Sequence, residues 1–256
     1  MAILALKLTL TPAVVAAATL AARRFGPQIG GWLIGLPVTA GPVVVFLALA
    51  HGSHFAGHVA VGLVAGVAAQ AAFTIGYAAA CRRSARWPVA LAAGTASFAA
   101  VGTAIVETHL GLGFVAVCAV AALALGLRYL PHEPVAPAGP PPSHDLLLRM
   151  GLATTLLLLI TTFATTLGPG LSGLVTVYPL LSTTLAVFTH RSDGAPAALA
   201  VYRGLLVGLF ALMGFACTLA LVITRVSLAV AYVLAIALTL AIQLGSLRAV
   251  RRAASS

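Results

Sequence analysis

Apolar runs of about twenty residues recur along this chain with almost no charge inside them, and such runs leave the backbone a single option. In hydrocarbon every N–H and C=O must be satisfied within its own segment, so each run is a helix, and a helix of that length reaches across a bilayer. The runs occupy residues 3–22, 29–50, 57–80, 88–107 and 111–129, then 146–166, 171–189, 196–222 and 227–247. The expectation is an all-α integral membrane protein of about nine transmembrane helices. Composition agrees: 61% of residues are hydrophobic and 7% charged, where a soluble domain carries about 25% charge. No extramembrane domain fits. The first run is read as a retained helix and not a leader, because Arg23 and Arg24 follow it.

Positive charge sets the expected orientation, since short loops rich in Lys and Arg resist translocation. With an outside N-terminus, one face receives Arg23, Arg24, Arg82, Arg83, Arg86, Arg128, Arg149, Arg191, Arg203, Arg248, Arg251 and Arg252, and the other only Lys7 and Arg225. That division of 12 to 2 predicts a cytoplasmic C-terminus in a bacterial inner membrane. It also accounts for the net charge of +10 without nucleic-acid binding, because the arginines punctuate short loops and are not interleaved with aromatics.

The chain also repeats itself. Residues 31–78 align without a gap on residues 173–220 at an offset of 142, and 13 of the 48 pairs are identical, against about five expected from composition. Pro37 falls on Pro179, Phe46 on Phe188, Phe73 on Phe215, and Gly31, Gly52, Gly62 and Gly66 on Gly173, Gly194, Gly204 and Gly208. An odd number of spans in the first copy turns the second over, which predicts an inverted-topology repeat, an arrangement typical of transporters. The first copy covers 1–130 with five helices and the second covers 145–252 with four. Residues 131–144 carry six prolines and read as a semi-rigid cytoplasmic linker. The second copy lacks an equivalent of the 111–129 helix, and a homodimer is one way to supply it.

The second helix of each copy is expected to be broken, and a solute site is expected there. The first reads Gly35, Pro37, Thr39, Gly41 and Pro42; the second reads Tyr178, Pro179, Ser182, Thr183 and Thr184. A proline inside a helix removes one hydrogen bond and frees polar groups that only protein or water can satisfy. A new half-helix is expected after Pro42. Two positive helix ends converging on a cavity favour an anion or carboxylate, with the three hydroxyls completing its hydrogen bonds. Gln70, Thr74 and Tyr77 on the following helix are candidates to line the same cavity. Gly62-x-x-x-Gly66 and Gly204-x-x-x-Gly208 are expected to be close-packing surfaces.

A second constellation, His51, His54 and His58 with Glu107 and His109, is a candidate outer metal-entry site, because His54 and His58 lie one helical turn apart. Glu107, Glu133, Asp145 and Asp193 are the only acids and fall outside the span centres, which disfavours coupling through a buried carboxylate. Cys81, Cys118 and Cys217 show no paired spacing. No nucleophile–base arrangement, phosphate loop or cofactor motif is present, so no enzyme activity and no cofactor are expected. The partners expected are a small solute and membrane lipid. The reading is a secondary transporter for a small anionic or zwitterionic solute working by alternating access. The alternatives are a divalent-metal permease and a non-catalytic accessory subunit of a membrane complex.

Overall fold

A computed structural model describes residues 2–84, 86–108, 111–131, 145–164 and 178–255. Every regular element among them is an α-helix: α1 Ala2–Phe25, α2 Pro27–Ile34, α3 Ala40–His51, α4 Ser53–Cys81, α5 Trp87–Glu107, α6 Leu112–Tyr129, α7 Asp145–Ala164, α8 Leu180–Asp193, α9 Ala195–Val222 and α10 Leu228–Ser255. These boundaries follow the apolar runs, except at 171–189, where the helix runs from Leu180 to Asp193 and the start of the run lies outside the described residues. The run at 29–50 is divided into α2 and α3, and the polar break after Glu107 separates α5 from α6. The Pro-rich segment 132–144 and residues 165–177 lie outside the described residues.

Helix starts are written locally. Pro27, Pro88 and Pro196 each sit at the first or second position of a helix, where the missing N–H would have no partner in any case. Gly52 joins α3 to α4 with φ +87°, and Gly194 joins α8 to α9 with φ +86°. At those dihedrals only glycine is unstrained. The two glycines are equivalent at the sequence offset, so each copy contains a short helix, a glycine corner and a long helix.

Among the described residues five helices are long and apolar enough to cross a membrane: α4, α5, α6, α9 and residues 228–247 of α10. Their outward faces carry exposed Phe114, Val117 and Leu125 on α6, and Val233, Leu240 and Leu244 on α10. Contiguous apolar surface of this kind is what a lipid-facing wall presents, and the protein is membrane-embedded on this evidence.

The two halves do not form separate modules. Helix α9 lies at the centre, packed on α2, α4, α6, α8 and α10. One core joins Phe73 and Tyr77 of α4, Phe98 of α5, Leu123 of α6, Leu185 of α8 and Tyr202 of α9. A second joins Val44 of α3, Ala60 of α4, Phe215 and Leu219 of α9 and Ala231 of α10. Helices α4 and α9 run antiparallel: the Tyr77 ring lies 4.8 Å from that of Tyr202 near one end, while Gly57 packs on Ile223 near the other.

Arginines gather at one end. Arg23 and Arg149 both donate to Asp145 Oδ2 at 2.8 Å, and the Arg149 guanidinium lies 5.0 Å from the centre of the Phe188 ring. Arg82 covers the Tyr129 ring at 3.9 Å, and Arg203 donates to the Leu127 and Leu130 carbonyls. His54 and His58 occupy the opposite end of α4 from Arg82. The 29 residues of α4 separate those ends by about 43 Å, at ~1.5 Å per residue.

Candidate solute-binding site

The first break lies where the sequence places it, but it is packed. Helix α2 stops at Ile34, residues 35–39 form turns, and α3 starts at Ala40. The new helix therefore begins two residues before Pro42, which sits in the first turn where a proline costs no hydrogen bond. Pro37 accepts from the Gly41 N–H at 2.9 Å. Thr39 caps α3 without a side-chain bond. Gly35 lies directly on the Gly208 backbone, Gly31 on the Val201 carbonyl, and Gly204 on the Gln28 carbonyl. A methyl group at any of these three would overlap backbone atoms, so α2 and α9 run side by side with no space between them.

Helix α10 bonds to both sides of the break. Gln243 Nε2 donates to the Trp32 carbonyl at 3.4 Å, Trp32 Nε1 donates to Ser246 Oγ at 3.0 Å, and the Tyr232 hydroxyl donates to the Gly41 carbonyl at 2.9 Å. The expected close packing of glycines thus holds for Gly204 and Gly208. It fails for Gly62, which opens onto empty space, because the partner that fills the equivalent groove on α9 is α2.

The second expected break is described only from Tyr178 onward. Pro179 precedes α8 and its carbonyl accepts from the Thr183 N–H at 2.9 Å. Two of the three hydroxyls are occupied by their own helix, Ser182 Oγ donating to the Pro179 carbonyl at 3.0 Å and Thr184 Oγ1 to the Leu180 carbonyl at 2.9 Å. Their donor hydrogens are therefore spent locally, a common fate of such side chains in helices. Thr183 is the exception. Its buried hydroxyl lies beside the phenols of Tyr178 and Tyr202 yet forms no well-aligned bond, and neither does the Tyr202 hydroxyl.

Around Thr183 the structure assembles a polar cluster inside an aromatic cage. The Tyr178 hydroxyl pairs with Thr95 Oγ1 at 2.9 Å. The Tyr77 hydroxyl pairs with His190 Nδ1 at 2.6 Å. Phe73 and Phe98 present their edges to the Tyr178 ring at 6.0 and 5.4 Å, and Tyr77 and Tyr202 tilt together. Tyr77, Thr183, His190 and Tyr202 are all buried. Gln70, two turns before Tyr77 on α4, is half-buried, and Thr74 donates to the Ala71 carbonyl. Tyr202 and Gly208 on α9 mark the levels of the second and first breaks. Both breaks therefore abut one helix, six residues or roughly 9 Å apart along its axis.

The duplicated scaffold provides an internal comparison. At the offset of 142, Thr183, His190 and Tyr202 correspond to Gly41, Ala48 and Ala60, while Phe73 and Tyr77 correspond to Phe215 and Leu219. Ala48, Ala60, Phe215 and Leu219 all belong to the second core, where Tyr232 from α10 packs on Phe215 and donates to the Gly41 carbonyl. The equivalent positions thus carry polar side chains in one half and apolar ones in the other. Burying a hydroxyl without a good partner costs ~1–3 kcal/mol, so stability does not explain the polar version. Sequence reasoning reached Tyr77, Tyr178 and Thr183 but missed Thr95, His190 and Tyr202. The signal was present in the pairs that do not match: His190 against Ala48 and Tyr202 against Ala60.

The outer histidines remain dispersed. His51 ends α3 and stacks on Phe55 at 4.9 Å; His51, His54, His58 and Glu107 are all exposed, and His109 lies outside the described residues. Among the described residues no group of three His, Cys, Asp or Glu side chains is placed to hold a metal.

Fold and site together define a class, a membrane-embedded protein that is helical throughout its described elements and carries a buried tyrosine–histidine cluster beside the start of α8. The chain matches no family model, no curated protein and no solved structure.

Proposed function

We propose that this protein is a secondary transporter that moves a small anionic or zwitterionic solute across a bacterial inner membrane. Its two copies are inverted, its N-terminus is outside and its C-terminus is cytoplasmic. The observation that carries the reading is the buried polar cluster of Thr183, His190 and Tyr202, whose positions at the sequence offset are taken by Gly41, Ala48 and Ala60, none with a polar side chain. Binding chemistry added to one of two equivalent sites is what a solute pathway requires and a scaffold does not. The antiparallel course of α4 and α9 and the matched corners at Gly52 and Gly194 support inversion. So does a sequence match upstream of the aligned stretch, where Gly26-Pro27 falls on Gly168-Pro169. Nine spans remain the proposal from the apolar runs, with α2 and α3 together making one broken span and α1 and α7 one each.

The solute site is assigned to Tyr178, Thr183, Tyr202, Tyr77 and His190. Gly35 to Pro42 act as a packed hinge against α9 and not as a solute contact. The test is thermal stability of the detergent-purified protein against amino acids, small organic anions and divalent metals, since a ligand that binds only the folded state must raise it. A shift from an organic solute, lost in Thr183→Val and Tyr202→Phe and accompanied by uptake into proteoliposomes, is the expected result. No shift and no uptake across the panel would overturn the reading. That outcome favours an accessory subunit, a second reading drawn from the packed first break. A chelator-reversible metal shift lost on replacing His51, His54 and His58 would instead support a metal permease.

A further inference from the structure

The arginine-bearing end of the molecule contains an open cleft of about 480 Å³ lined by Arg86, Trp87, Pro88, His190 and Arg191. No acid lines it. The ion pairs among the described residues engage Arg23 and Arg149 with Asp145, so Arg86 and Arg191 face the cleft without a carboxylate partner. The nearest acid along the chain, Asp193, accepts from Ser192 Oγ at 2.7 Å. The Arg191 guanidinium lies 5.9 Å from the centre of the Trp87 ring, which places both at one wall. Helix α5 starts here, its cap Arg86 offering no side-chain bond, and its N-terminal end adds partial positive charge. Helix α8 ends here, and its C-terminal carbonyls offset part of the Arg191 charge.

His190 also lines the cleft, and its Nδ1 pairs with the buried Tyr77 hydroxyl. The cleft and the Tyr77–Tyr202–Thr183 cluster therefore share one residue: His190 touches the open cavity on one side and the aromatic cage on the other. Two cations converging on a concave surface repel each other, and an anion between them relieves that repulsion while gaining charge-assisted hydrogen bonds from two planar forks. The volume suits a small metabolite.

We propose that this cleft binds a small anion with a carboxylate or phosphate group held between Arg86 and Arg191, flanked by the Trp87 indole and received by His190 at the entrance to the buried cluster. The proposal deepens the transport reading, on which it rests for its purpose but not for its chemistry. A free solute and the phosphate of an anionic lipid present the same group, and the experiment separates them.

Trp32 and Trp87 are the only tryptophans, so Trp87 reports on the cleft. Purified protein in neutral detergent is titrated with succinate and with inorganic phosphate while its fluorescence is followed. A saturable change is expected in the wild type, absent in Trp87→Phe and weakened at least tenfold in Arg86→Gln and Arg191→Gln. Arg83→Gln, an exposed arginine at the same end outside the cleft, should bind as the wild type does. Thermal melts show that each variant is folded. Equal weakening by Arg83→Gln would reduce the effect to general charge and overturn the proposal, as would the absence of a saturable change in the wild type with either anion. Repeating the titration in phosphatidylcholine nanodiscs with and without phosphatidylglycerol assigns the occupant. Competition by the anionic lipid supports the cleft with a headgroup as its ligand; binding unaffected by it supports a solute. Saturable binding without uptake into proteoliposomes would sink the transport reading and leave the cleft standing, whereas uptake without binding would do the reverse.

Discussion

Single residues carry the most direct consequences. Removing the phenol in Tyr77→Phe deletes the hydrogen bond to His190 and should cost about 1 kcal/mol, read as a lower melting temperature in detergent. Thr183→Val removes a buried hydroxyl that has no aligned partner. It should therefore leave stability unchanged or raise it while abolishing any solute-induced shift, a dissociation of stability from binding that a structural role for Thr183 would not produce. The glycines divide in the same way. Gly31→Ala and Gly204→Ala push a methyl into the facing backbone and should destabilise by about 1–3 kcal/mol. Gly62→Ala enters open space within a helix and should stabilise by about 0.5–1 kcal/mol. Equal effects at the three positions would contradict the packing described.

Among the helices, the glycine corners are the shared device. Gly52→Ala and Gly194→Ala each force a side chain onto a φ near +87° or +86°, and each should cost about 1–3 kcal/mol, in parallel because the corners are equivalent. Melting curves of both variants test this, and a neutral result at either corner would argue against equivalence. Helix positions were readable from sequence because apolar runs of bilayer length end at charges, prolines and glycines, as at Arg82 after α4 and Arg23 within the last turn of α1. The division of the second run was also readable, from Pro37 and Gly35. Its exact position was not, because Pro42 is as acceptable in the first turn of α3 as in a loop. Nor were its surroundings: that Gly204 and Gly208 would receive α2, and that Gln243 and Tyr232 from about 200 residues away would bond the Trp32 and Gly41 carbonyls on either side of the break, depends on long-range packing that no local pattern encodes. The hydroxyls of Ser182 and Thr184 looked available in sequence and are spent on their own helix for the same local reason that places such residues near breaks.

At the level of the whole molecule, two copies of one framework meet across a shared core, with arginines gathered at one end and the histidines of α4 at the other. The buried cluster and the open cleft both belong to the side built from the C-terminal end of α4 and the start of α9, and His190 connects them. Under the proposed transport reading, alternating access would be a movement of α8 and its packed neighbours against α4 that opens the cage around Thr183 to one face or the other. The glycine contacts between α2 and α9 form a surface on which such rigid packing persists. His190→Ala removes a residue shared by the cleft and the cage, and should weaken anion-induced Trp87 fluorescence and uptake into proteoliposomes together. Loss of uptake with the fluorescence change intact would mean that His190 serves only the cage.

Inversion of the two copies is the claim on which the rest depends, and matched cysteines test it most directly. Ala50 and Ser192 are equivalent at the offset of 142 and both are exposed beside their glycine corners. In a background lacking Cys81, Cys118 and Cys217, Ala50→Cys and Ser192→Cys are exposed in turn to a membrane-impermeant maleimide in intact cells and in inverted vesicles. The account predicts that Ala50→Cys reacts only from outside and Ser192→Cys only from the cytoplasmic face. Reaction of both from the same face would contradict it.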